Sequence, residues 1–235
     1  MLDEKLTAKQ IQMLLSMFIF GSSAVIGVSN AIGQDSWISL IFAALIAMPV
    51  ILMYARIVLL NPDRQIFEIF ESHFGKVAGK VASALMTWYA IHLGALVVRN
   101  FAEFIQISAL LETPHLAVTI LIFLTVCSLA RYGGKALGKW SVIILPIVLG
   151  IVIITVFLSL NILEINHMLP VWERRTGEII QDAFQVFSFP YAEIVMILGI
   201  ADLINVRDKP HVIFMKSALT STGILMMITL RNILV

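Results

Sequence analysis

Long apolar stretches, each near the length of a bilayer crossing, recur along this chain with short polar breaks between them. Lipid offers no water to backbone groups, so each stretch reads as a helix of roughly 20 residues. The pattern predicts an all-α integral membrane protein of about seven transmembrane helices, at about 10–33, 36–60, 80–109, 115–131, 138–163, 178–204 and 210–233. The alternating polarity of a membrane barrel is absent. Two connections carry patterns of their own. In 62–78, Asn61-Pro62-Asp63 provides a cap and a proline for the first turn. Ile66, Phe70, Phe74 and Val77 then recur at i, i+4, i+8 and i+11, which predicts a short amphipathic helix at the membrane interface. The stretch 164–177, with Pro170, Trp172, Glu173, Arg174 and Arg175, reads as an outer loop, either a solvated connection or a lid.

Composition agrees with the pattern. Of 235 residues, 60% are hydrophobic and 13% charged, with a mean hydropathy of +0.96. Soluble domains carry charge on about a quarter of their residues. Too little polar surface is left for a water-soluble globule. Formal net charge is +1, which gives no electrostatic case for nucleic acid. The one cysteine, Cys127, lies in an apolar run and has no intrachain disulfide partner. Asp3 and Glu4 spoil the basic region of a signal peptide, and the first run has no cleavage site, so it reads as a retained helix. Eleven of the 16 Lys and Arg fall on one side of the predicted spans, including Lys5, Lys9, Arg64, Lys135, Lys139 and Arg207. Arg174, Arg175 and Arg231 fall on the other. The positive-inside rule then puts the N-terminus in the cytoplasm.

Three groups of residues carry candidate chemistry. In the first span, Gly21-Ser22-Ser23, with Gly27, Ser29 and Asn30 after it, would open the helix or simply allow close packing. In the sixth, Phe187-Ser188-Phe189-Pro190-Tyr191-Ala192-Glu193 places a helix-breaking proline beside an acid at membrane depth. Glu193 is therefore a candidate for proton or ligand work, and Tyr191 for a pocket wall. In the third, His92, Arg99 and Glu103 share a face, with Tyr89 nearby. Arg99 is expected to pair with Glu103 one turn away, with Glu193, or with a ligand carboxylate. The five histidines show no metal-binding spacing, no catalytic serine motif is present, and an enzyme is the least supported class.

The opening Leu6-Thr7-Ala8-Lys9-Gln10, followed by Phe18-Ile19-Phe20-Gly21-Ser22-Ser23, resembles the start of spore germination permeases. These are the B subunits of germinant receptors, in the amino-acid/polyamine/organocation superfamily. The Asn61-Pro62 helix and Phe189-Pro190-Tyr191-Ala192-Glu193 are similar to the same family. The resemblance implies a LeuT-like fold of two inverted five-helix repeats, with helices 1 and 6 broken at the substrate site. Residues 1–163 would form the first repeat, including the interfacial helix 62–78. Residues 164–177 would be an outer loop, and 178–235 the first two helices of an incomplete second repeat, three helices short. It further implies a membrane subunit of a spore nutrient receptor that binds an amino acid or similar small solute near mid-membrane. Gly21, Ser22, Ser23, Phe187, Phe189 and Tyr191 would hold the ligand. Glu193, Arg99, Glu103 and His92 would serve as intramembrane charge, proton or gating groups. No cofactor is implied. The implied partners are the A and C subunits, in the spore inner membrane. The rival reading is a proton-coupled amino-acid transporter.

Overall fold

The computed structural model describes residues 5–29 and 32–235, without the side chains of Ser22, Val25 and Ile26; Asn30 lies outside the described residues. Apart from one isolated bridge between Leu6 and Ile204, the described elements are helical. Helix α1 (Ala8–Ile26) begins at a capping box. Thr7 Oγ1 accepts from the Gln10 amide at 3.3 Å, and Gln10 Oε1 accepts from the Thr7 amide at 2.9 Å. Helices α2 (Ser36–Leu60), α3 (Ile66–Ser108), α4 (His115–Ala130) and α5 (Gly133–Ser159) follow. After α6 (Thr176–Val186), a wide turn over Phe187–Tyr191 leads into a tightly wound 3₁₀ segment, Ala192–Leu203. Helix α7 (Pro210–Leu234) completes the set. Among the described residues, five of these helical units are long and apolar enough to cross a bilayer: those over 33–60, 66–108, 133–162, 176–203 and 210–234. Helix α1, with 19 residues, and α4, with 16, are shorter, so the expected seven spans stand at five to seven.

Two expectations about the first span are corrected. It was expected to run to residue 33, but α1 ends at Ile26, where Gly27 takes φ 86 and Ser29 φ 107. It was also expected to open at Gly21–Ser23, but α1 winds regularly through all three positions, and the Ser23 carbonyl accepts from Gly27 N–H at 3.0 Å. The physical reason is the packing of α1 against α7. Ser217 Oγ donates to the Gln12 carbonyl at 3.1 Å, Ser221 Oγ to the Ser16 carbonyl at 3.1 Å, and Ser16 Oγ to the Ser217 carbonyl at 3.4 Å. Small side chains thus bring the two backbones together and bond across the gap. The sixth span does break where its proline predicts. Phe189 leaves the helical region at φ −138, ψ 114, just before Pro190.

The amphipathic segment is a helix, but it continues into the third span through a sharp turn rather than ending before it. Gly75, at φ 77 and ψ 172, divides α3 into 66–74 and 76–108. The second part folds back so closely on the first that a Cβ on Gly79 would lie 2.6 Å from Glu71 Cα. Ile66 and Ile69 bury into the bundle.

The two ends of the bundle are well defined. At one end Leu6 N–H donates to the Leu203 carbonyl at 3.0 Å, Gln65 Nε2 donates to Asp202 at 3.1 Å, and Lys5 pairs with Asp63. Leu6 also sits on Gly138 of α5. At the other end, Glu164 N–H donates to the Leu234 carbonyl at 2.8 Å. The segments read from charge as lying on one side of the membrane are thus together in space. Helices α1, α2 and α7 and the 176–203 unit share the buried core, while α3, α4 and α5 keep broad apolar faces exposed.

Candidate functional site

Breaking the sixth span releases Glu193 from the register of α6. It sits in the first turn of the 192–203 segment, only 7% exposed, with no hydrogen bond or ion pair among the described residues. Beside it a cavity of about 480 Å³ opens between α1, α3, α4 and this segment. Met17, Phe18 and Gly21 form the α1 wall; Ala90, Leu93, Gly94, Val97, Val98 and Phe101 form the α3 wall. Val126 and Met196 complete it. A Cβ on Gly21 or Gly94 would meet nothing within 4 Å, so both glycines leave open volume. The cavity is an open apolar cleft with a single carboxylate in its lining.

Of the singled-out residues whose side chains are described, Gly21 and Glu193 meet here and the others do not. Ser23 is buried with its hydroxyl unpartnered, outside the lining. Ser22 lies in α1 with its side chain outside the description. Tyr191 is 1% exposed and points to α7, its hydroxyl 2.6 Å from Thr222 Oγ1. Phe187 packs on the core and against Phe184, ring centroids 5.7 Å apart, and Phe189 is half-buried at the break. Among the three partners weighed for Arg99, the structure selects Glu103: Nε donates to Oε1 at 2.7 Å, on a face of α3 where the two side chains are 69% and 45% exposed. His92 stacks on Trp88 on the exposed surface, with centroids 5.6 Å apart. Tyr89 is half-buried on α3 and lies outside the lining. The cavity-lining Met17, Phe18, Leu93 and Gly94 carried no signal, because apolar residues in a membrane helix look alike whichever way they face.

A second polar arrangement lies at the end opposite Lys5. Asp35 is fully buried and accepts from the Trp172 amide at 2.7 Å and the Arg174 amide at 2.9 Å. Trp172 meets Phe42 edge-on, with centroids 6.4 Å apart, and Gln34 bonds Glu173. Ser29 Oγ donates to buried Asp182 at 2.5 Å. The loop 164–175 is thus strapped over this end, beside a cavity of about 530 Å³ lined by Ser29, Gln34, Asn166, His167 and Asn232, among others. Among the described residues, no three His, Cys, Asp or Glu side chains are grouped to hold a metal ion.

Comparison with known proteins gives a consistent picture. A family model described as "Spore germination protein", the spore permease family, matches residues 5–235. Spore germination protein KB of Bacillus subtilis (strain 168) is 21% identical over 206 residues, covering 86% of this chain and 55% of its own length. Spore germination protein YndE of the same organism is 26% identical over 165 residues, covering 70% of this chain and 46% of its own. The chain therefore spans about half the length of these curated relatives. No solved structure matches it.

Proposed function

Starting from the chain's membership of the spore germination permease family, we propose that it is the membrane subunit of a spore nutrient receptor, with its ligand in the cavity beside Glu193. One observation carries this reading: a buried acid with no hydrogen bond or ion pair among the described residues faces an apolar cleft of nutrient size, beside the break at Phe189-Pro190 in the sixth span. Pockets for small molecules are largely apolar, with few polar groups that fix orientation. The broken 187–203 stretch supplies the moving part. A ligand that prefers one arrangement of this stretch shifts the equilibrium between two conformations, and partner subunits read the shift. By family, those partners are an A and a C subunit in the spore inner membrane. An inverted-repeat, LeuT-like architecture belongs to the same proposal.

Filling the chamber tests it. Gly21→Leu leaves insertion and assembly of the full-length receptor intact and weakens the germination response at least about tenfold in nutrient concentration, the scale of a lost small-ligand contact set. An unchanged dose-response removes the cavity from the mechanism.

The second reading is proton-coupled amino-acid transport, favoured by the unpartnered state of Glu193. Uptake of labelled amino acid into proteoliposomes by the full-length protein, abolished in Glu193→Gln, would establish transport. Nutrient binding without uptake would leave sensing.

A further inference from the structure

At the end of the bundle that holds Lys5, a cleft of about 370 Å³ runs between the start of α1 and the start of α5. Its lining carries three ammonium groups, those of Lys5, Lys135 and Lys139, together with Leu6, Thr7 and Gln10. The two segments are distant in sequence and in direct contact in space. A Cβ on Gly138 would lie 2.5 Å from Leu6 Cδ2, and Ser141 Oγ donates to the Gln10 carbonyl at 3.4 Å.

This convergence is electrostatically unfavourable as it stands. Lys135 and Lys139 are one helical turn apart, a like-charge spacing that destabilises a helix. Neither α1 nor α5 has an acid in its first turn, so the positive ends of both helices add to the same field. Asp63, paired with Lys5, offsets one of the three charges, and Asp202 at the same end accepts from Gln65 Nε2. The cleft is therefore suited to an anion.

What lies below the lysines selects the kind of anion. Ile143 follows Lys139 at i+4 and Ile147 follows at i+8, so the ridge that carries the ammonium groups continues as exposed hydrocarbon. Tyr132 and Trp140, exposed on either side of the lysine pair in the sequence, are of the type that gathers at the headgroup layer. A cation cluster above hydrocarbon matches a molecule with phosphate at one end and acyl chains at the other.

We propose that this cleft binds the headgroup of an anionic phospholipid from the leaflet at that end, with the acyl chains along the exposed face of α5. The phosphate offsets the repulsion between Lys135 and Lys139, and the bound lipid braces the start of α1 against α5.

The test uses purified full-length protein in a neutral detergent. Phosphatidylglycerol and phosphatidylcholine with the same acyl chains are each titrated against thermal unfolding, with inorganic phosphate as the headgroup charge alone. Phosphatidylglycerol is expected to raise the unfolding temperature at concentrations at least about tenfold below those of phosphatidylcholine, and inorganic phosphate to leave it unchanged. Lys135→Gln combined with Lys139→Gln is expected to raise the phosphatidylglycerol concentration required at least about tenfold, the scale of two ammonium groups near an anionic surface. Lys76→Gln combined with Lys80→Gln makes the same charge change at exposed positions outside the lining and is expected to leave the titration unchanged. Should the Lys135 and Lys139 double variant fold poorly, Lys139→Gln alone, at an exposed position, is expected to cost about fivefold and Lys139→Arg to restore the response. Equal action of the two lipids, the result if a further segment of the chain covers this end, overturns the proposal, as does an unchanged response in the Lys139 variants. An equal loss in the Lys76 and Lys80 variant overturns it in favour of overall charge, and an equal shift by inorganic phosphate in favour of a free anion. None of these results bears on the Glu193 cavity.

Discussion

Tyr191 and Glu193 are two positions apart at the helix break, yet they face different tasks. The tyrosine ring is 1% exposed and its hydroxyl reaches Thr222 at 2.6 Å, so it fastens the break to α7. Tyr191→Phe removes that bond alone and is expected to destabilise the protein by about 0.5–1.5 kcal/mol, read by thermal unfolding, with the nutrient dose-response unchanged. A shifted dose-response would return Tyr191 to the pocket. Asp35 sets a larger penalty. Its carboxylate is the acceptor for two backbone amides, those of Trp172 and Arg174, and Asp35→Ala leaves both without it. About 1–3 kcal/mol is expected for each buried group left unpaired, with faster proteolysis inside 164–175 as the local readout. Glu193 was legible in the sequence because an acid beside a proline in a long apolar run has few uses. Asp35 was not, because an acid at a junction between two spans reads as an ordinary loop residue. Its partners are main-chain amides almost 140 positions away, and those carry no side-chain signature.

At the level of helices, the two predicted breaks had different physical standing. Proline at 190 lacks an N–H and crowds the turn before it, a larger disturbance than a glycine or serine brings, although Pro49 and Pro146 sit inside α2 and α5 without breaking them. Glycine and serine at 21–23 only lower helix propensity, by up to about 1 kcal/mol per residue. The contacts of Ser16, Ser217 and Ser221 between α1 and α7 outweigh a preference of that size. Their signal in the sequence was the i, i+4 pair Ser217 and Ser221, but the acceptors are carbonyls of another helix. The interfacial helix was legible from its stripe of Ile66 and Phe70. Its fold back onto the third span was not, since Gly75 and Gly79 gain meaning only when two backbones approach. Gly79→Ala would put a methyl 2.6 Å from Glu71 Cα, against main chain that cannot swing aside. A loss of about 1–3 kcal/mol is expected, together with accelerated amide exchange across 66–79. An unchanged unfolding temperature would show that the hairpin opens freely.

For the whole molecule, charge and geometry make separable claims that one experiment can divide. The structure puts the segments around Lys5, Arg64 and Arg207 at one end of the bundle and those around Asn166 and Glu173 at the other, through the Lys5–Asp63 pair, the Gln65–Asp202 bond and the clamp at Asp35. The compartment facing each end is read from the distribution of Lys and Arg. In a Cys127→Ser background, single cysteines at Arg64 and Arg207 are expected to react with an impermeant maleimide only after the cells are permeabilised. Single cysteines at Asn166 and Glu173 are expected to react in intact cells. If each pair labels together but from the reverse side, the bundle is right and the orientation wrong. If Arg64 and Arg207 label from opposite sides, the number of crossings between them is odd, and the packing that closes the Glu193 cavity is wrong as well. That cavity needs α1, α3 and α4 to cross beside the 192–203 segment, so the topology is the condition on which the ligand site depends.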